Sequence, residues 1–269
     1  MGVSQEHLDA LVAEVLSSPK YAAINPELVR AVGARELAVR RTLREAVKET
    51  RGRLHQVAGA FLDRAPRYDA WLATLRAAQG KPAALRGACQ TIMASHASTR
   101  ERLPELERFY DAIFAALPPV DSLIDLACGL NPLAAPWMGL KPGAHYAACD
   151  IYSDMCAFLG AAIPLLGLRG DAAVCDLAVG PPSWRADAAL LLKTLPVLEH
   201  LRRGAGRELL RAIQAPWLVV SFPTRSLGGR NVGMAATYGG QMRQIADAEG
   251  WTYESLEFMN EVVFLVRKG

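Results

Sequence analysis

No apolar run in this chain approaches the roughly 18 residues that a membrane-spanning helix needs, although half of its 269 residues are hydrophobic. The opening Met1-Gly-Val-Ser-Gln-Glu-His7 has neither a basic n-region nor an apolar h-region, so no secretory leader is expected and the expected compartment is the cytoplasm. Cysteine is sparse. Cys89, Cys128, Cys149, Cys156 and Cys175 are odd in number and lack metal-ligand spacing, which argues against a disulfide framework and a bound metal. Lysine is also scarce, 6 residues against 24 arginines, a bias that reflects a GC-rich genome as much as phosphate recognition. The three-glycine dinucleotide fingerprint is also missing, so a pyrophosphate cradle is not expected.

The stretch Ser122-Leu-Ile-Asp-Leu-Ala-Cys-Gly-Leu-Asn-Pro132 is where a ligand site is expected. Leu123–Leu126 suits a buried parallel strand, and Gly129 lets the backbone turn tightly and approach a ligand. A single-glycine turn after a strand carrying Asp125 suits S-adenosylmethionine (SAM), which has no phosphate to wrap. Further apolar runs follow at 145–150, 171–176, 187–193 and 216–222, separated by helix-length spacers. Five such runs predict a doubly wound parallel α/β sheet. The alternating segment Trp251–Lys268, turning at Met259-Asn260-Glu261, predicts a closing antiparallel hairpin. Two runs end in aspartates, Asp150 and Asp176. Asp150 follows the glycine turn by about 20 residues, the spacing of a ribose-binding carboxylate.

No strand pattern precedes residue 120. Periodicity predicts helices over 5–17, from Asn25-Pro26 onward, over about 35–63, around Trp71–Leu75 and over 83–94. Residues 1–95 are therefore expected to form a helical subdomain and 96–269 the α/β domain. Charge divides similarly: residues 1–102 hold 16 basic against 10 acidic side chains, and 103–269 hold 14 against 17. Such asymmetry points to nucleic-acid contact through the first part, with Arg40, Arg41, Arg44 and Lys48 as candidates, or else to a solvated helical face. Between the two regions, Ser98 and Glu101 match a capping box, while Pro104 suits a later helix start. Arg100 or Arg102 there is placed to reach a carboxylate ligand. The loop Ser221–Gly233 carries Gly228, Gly229 and Gly233 for mobility, Phe222 for stacking, and Arg225 and Arg230 for phosphates.

The acceptor atom is narrowed by what these loops lack. An Asn/Asp-Pro-Pro-aromatic loop for amine methylation is replaced by Leu192-Lys193-Thr194-Leu195-Pro196, and no cysteine nucleophile stands at the fourth or fifth strand end. Guanine N7 is a free lone pair that needs alignment and no general base.

With these residues the chain resembles the aminoglycoside-resistance 16S rRNA (guanine-1405-N7) methyltransferases of antibiotic-producing actinomycetes. The resemblance rests on His96–Leu103, Asp125-Leu-Ala-Cys-Gly-Leu-Asn-Pro132, Ala148–Ile151, Val174–Leu177, Leu191–Glu199 and Ser221–Met234. It implies a class I SAM-dependent fold with Arg102 on the SAM carboxylate, Asp150 on the ribose hydroxyls and Asp176 on the adenine amine. Ala127, Gly129, Ile151 and Leu177 would complete that cofactor site. Lys193 and Arg230 would serve the target nucleotide, and the implied substrate is the assembled 30S subunit; Arg225 stays an rRNA candidate from the composition of its loop. A monomer without protein partners is expected. A SAM-dependent enzyme for a small molecule, with the helical segment as a lid, and a non-catalytic RNA-binding protein are the other readings.

Overall fold

Among the described residues, seven strands make one sheet in the order β3-β2-β1-β4-β5-β7-β6. They are β1 (Ser122–Leu126), β2 (His145–Asp150), β3 (Arg169–Val174), β4 (Ala188–Leu192), β5 (Trp217–Pro223), β6 (Thr252–Glu257) and β7 (Glu261–Arg267). This computed structural model describes residues 4–55, 66–224 and 234–269. The first five strands pair in parallel; β7 runs antiparallel to both β5 and β6. Every residue of β4 is buried, as a central parallel strand covered on both faces requires. The order reverses between β1 and β4, and ligands in open sheets of this kind bind at that switch point.

The β3 run is displaced from its expected span. Its last partner is Asp150, opposite Val174, so pairing stops where β2 stops, and Asp176 lies two residues past the strand. The chain there is held by Cys175 N–H donating to the Asp150 carbonyl at 2.9 Å.

The helices are α1 (Gln5–Leu16), α2 (Pro26–Val39), α3 (Leu43–Leu54), α4 (Tyr68–Ala78), α5 (Pro82–Met93), α6 (Ala97–Arg100), α7 (Leu106–Ala116), α8 (Ser153–Ala162), α9 (Thr194–Leu201), α10 (Ala205–Ala212) and α11 (Met234–Glu249). The single helix expected over about 35–63 is instead the end of α2 followed by α3. Arg40 is extended, and Thr42 caps α3 by accepting from Glu45 N–H at 3.2 Å. Glu45 reciprocates by accepting from Arg41 N–H at 3.2 Å. This Thr-x-x-Glu cap overrides the apolar periodicity, which continues across it. Residues 56–63 of that expected span lie outside the described residues. The Ser98–Glu101 capping box does not form: α6 begins at Ala97 behind His96, and a short 3-10 turn over Leu103–Glu105 precedes α7.

The described residues pack into three apolar cores. Helices α4, α5, α7 and α8 cover one sheet face, and α9, α10 and α11 the other. Leu11, Val15, Leu28, Val29, Val47 and Leu54 join α1, α2 and α3 in a third core. Helices α4 and α5 thus precede residue 95 yet share the core of the sheet. Burying one such large aliphatic side chain is worth about 1.5–3 kcal/mol.

Candidate cofactor and nucleotide site

The turn after β1 is shaped by two left-handed residues, Ala127 at φ 52° and Gly129 at φ 51°. A Cβ on Gly129 would come within 2.8 Å of the His96 ring, so glycine is needed for space as well as conformation. Gly129 N–H donates to Asp150 Oδ2 at 2.9 Å, and Ile151 N–H donates to Oδ1 at 2.7 Å. Both Asp150 oxygens are thereby anchored to backbone at the end of β2, giving a fixed acceptor. Burial pushes its pKa up, and the backbone donors work against that rise. Asp176 accepts from Ala178 N–H at 2.9 Å, and burial raises its pKa as well.

These groups line one cavity of about 970 Å³, its open mouth included, at the carboxyl ends of β1, β2 and β4. Arg102, Ala127, Gly129, Asp150, Ile151, Asp176, Leu177 and Lys193 all face it. Tyr152, Met155, Leu198 and Leu201 give it apolar walls, and Leu28 of α2 contributes from the N-terminal helices. The cavity brings the Asp150 and Asp176 carboxylates and the Arg102 guanidinium together with apolar walls, a set of groups that suits a nucleoside joined to an amino acid, so the residues fit SAM. Among the described residues, no His/Cys/Asp/Glu group is arranged to hold a metal ion.

A buried polar network adjoins the cavity; Arg102 and Asp125 line it, and sequence reading missed its other members and how they connect. The Arg102 side chain is only 3% exposed, and it donates to Glu261 through Nε at 2.6 Å and Nη2 at 3.0 Å. Its guanidinium stacks over Phe109, and Nη1 faces Asn131 Oδ1 at 3.4 Å. Tyr110 also donates to that Asn131 oxygen, while Asn131 Nδ2 donates to Asp125 at 2.9 Å. Tyr146 donates to the same Asp125 oxygen at 2.7 Å. Burial raises the Asp125 pKa to about 6 in spite of these donors. Burial also pushes the Glu261 carboxyl up, but Arg102 and then Lys193 outweigh it and hold the pKa below its ordinary value. Asn131 could have been suspected from the Gly-Leu-Asn-Pro string. Glu261 carries no local signal, because it reads as a turn residue.

Lys193 directly follows β4 in a left-handed conformation, φ 59°. Its amine lies 2.5 Å from Glu101 and 3.4 Å from Glu261. Arg40, Arg41, Arg44 and Lys48 are not brought to this cavity; they lie at the α2–α3 junction and along α3. Arg40 pairs with Glu36 at 3.0 Å. Arg225 and Arg230 lie outside the described residues.

The family model described as "Ribosomal RNA methyltransferase (FmrO)" matches residues 17–266. The chain belongs to this family. The methyltransferase is 45% identical over 273 residues to the 16S rRNA (guanine(1405)-N(7))-methyltransferase of Frankia casuarinae, covering 100% of this chain and 96% of that one. Identity to the enzyme of the same name from Micromonospora echinospora is 40%, covering 98% of each. Among solved structures, the 16S rRNA methyltransferase RmtF in complex with S-adenosyl-L-homocysteine superposes with a TM-score of 0.84 at 35% identity, covering 99% of this chain and 100% of that one. The methyltransferase has the α/β class I fold that the apolar runs and the resemblance led one to expect. No helix among its described residues is long and apolar enough to cross a membrane.

Proposed function

We propose that this methyltransferase transfers a methyl group from SAM to N7 of guanine 1405 in 16S rRNA, acting on the assembled 30S subunit. The observation that carries the reading is that eight residues to which the strand ends and the family resemblance point line one cavity at the switch point of the sheet. SAM supplies an electrophilic methyl group on a sulfonium, with a neutral thioether as leaving group. Asp150, fixed by two backbone donors, accepts from the ribose hydroxyls, and Asp176 accepts from the adenine amine. Ile151 and Leu177 pack the base, while Ala127 and Gly129 let the backbone come close. Arg102 binds the amino-acid carboxylate.

Guanine N7 carries a lone pair and no proton, so the reaction requires no general base. What the protein must supply is alignment of acceptor with methyl group. Lys193 and Arg230 do this work on the target nucleotide. The exposed basic side chains of α3, with Arg225, hold rRNA phosphates. The enzyme works as a monomer in the cytoplasm.

The test is to map N7-methylguanine in 16S rRNA from cells expressing the chain, by strand scission at the methylated base and primer extension. A new stop at guanine 1405, absent without the chain, is expected. Soluble expression with no modification there would overturn the assignment.

A further inference from the structure

We infer that Glu261 is a positioning residue that fixes the groups on both sides of the transfer, Arg102 for the cofactor and Lys193 for the nucleotide. This rests on the roles given to Arg102 and Lys193 above. Strand β7 runs antiparallel to β5, pairing Glu261 with Pro223. Its first residue therefore stands at the edge where the parallel strands end, which is the ligand edge of the sheet.

From that place one carboxylate, 1% exposed as a residue, serves three partners. It takes two parallel bonds from Arg102, which fix the plane of the guanidinium and leave Nη1 facing Asn131. Ser221 Oγ donates to it at 2.7 Å. Ser221 Oγ in turn accepts from Lys193 N–H at 3.0 Å, holding that residue's left-handed backbone. The Lys193 amine completes the set at 3.4 Å. A neutral group at 261 would leave two cations close together with one fewer anion, and the guanidinium would lose its fixed plane. Ser221, by contrast, hydrogen-bonds to Glu261 and Lys193, and among the described residues no hydrogen bond joins it to Arg102, so the two halves of the device separate experimentally.

The experiment uses the full-length chain, with SAM affinity measured by calorimetry and methyl transfer to 30S subunits measured in a single turnover at saturating SAM. Glu261→Gln is expected to weaken SAM binding about tenfold or more and to slow transfer about tenfold or more, since it strips the buried counter-charge from both cations. Ser221→Ala should slow transfer by a similar factor while SAM affinity stays within about twofold. Glu261→Asp keeps the charge on a shorter stem and should restore part of both losses; should the glutamine variant fail to fold, the serine and aspartate variants decide the matter alone. Folded Glu261→Gln with wild-type affinity and rate would overturn the proposal, and so would a loss confined to thermal stability. With the glutamine variant unfolded, Ser221→Ala at the wild-type rate would do the same. Absence of methylation by the wild-type chain would instead strike the assignment of guanine 1405.

Discussion

Ala127 and Lys193 are two alanine-to-lysine extremes in chemistry but share a left-handed backbone, and they end the two strands that flank the switch point. Each pays about 1–2 kcal/mol for a conformation that suits glycine. At Lys193 the cost is offset by bonds from its N–H to Ser221 Oγ and to the Ser221 carbonyl at 3.1 Å. Asp125 stores a different tension. Its folded pKa of about 6 exceeds the ordinary 3.8 because burial outweighs Asn131, Tyr146 and Arg102, with Asp150 adding to the rise. A raised carboxyl pKa means that the folded state binds the proton more tightly than the unfolded state. Stability from this group is thus greatest at low pH and is lost as pH climbs through about 4 to 6. Asp125→Asn keeps an acceptor for Asn131 and Tyr146 without the charge. Denaturant unfolding should show the variant gaining on wild type by about 2 kcal/mol between about pH 4 and about pH 7.5. A gap that stays constant across that range would refute the buried ionisation.

At the scale of elements, the α2–α3 junction decides which basic residues are available for rRNA. Arg40 is occupied by Glu36, and Arg51 reaches back to Glu14 of α1 at 3.3 Å. Arg41, Arg44 and Lys48 remain exposed, the last two one helical turn apart on α3. Reversing Arg44 and Lys48 to glutamate should weaken 30S binding and lower the slope of log affinity against log salt by about 1–2. SAM affinity should not change, because neither residue lines the cofactor cavity. Filter binding of 30S across a salt series measures both quantities. An unchanged slope would make this stretch a solvated helical face.

The N-terminal helices are also a wall of the cofactor site, which emerges only from the whole molecule. Asn25 N–H donates to the Ile151 carbonyl at 2.8 Å, Ser153 N–H donates to Ala23 at 2.9 Å, and Leu28 faces the cavity. Arg35 donates to the Leu201 carbonyl at 2.7 Å. Deleting residues 1–80 would remove this wall and also strip Trp71, Leu75 and Ala78 from the core of the sheet. Truncation therefore confounds docking with folding, whereas charge reversal on α3 does not. The consequence for a cell follows from the product. N7-methylation gives the guanine a fixed positive charge and removes a major-groove acceptor. Facing a polycationic drug at about 4 Å, that charge reverses a contact of roughly 1–4 kcal/mol and leaves a donor unpaired. Cells expressing the chain should therefore resist kanamycin- and gentamicin-type drugs, whose third ring the family resemblance places at this base. Neomycin-type drugs should be little affected, and Lys193→Ala should lower the resistance. Inhibitory concentrations for the three drug types check this, and equal susceptibility with and without the chain would sink it.

What the sequence determined by itself was local in origin. Apolar runs of strand length, one glycine at a turn, and an aspartate about 20 residues on are readable because each constrains its own neighbours; they located β1, β2, β4 and β5 and put Asp150 at the end of β2. Local rules also mislead where two of them compete, as when apolar periodicity masked the Thr42–Glu45 cap and joined two helices. The end of β3 was invisible for another reason: it is set by where β2 stops pairing. The partner of Arg102 lay furthest from view. Glu261 is 159 residues away in the chain, and nothing in its neighbourhood marks it as buried. Only the antiparallel entry of β7 beside β5 brings its carboxylate to the ligand edge. Desolvation then makes that ion pair, rather than any local preference, govern where the arginine points.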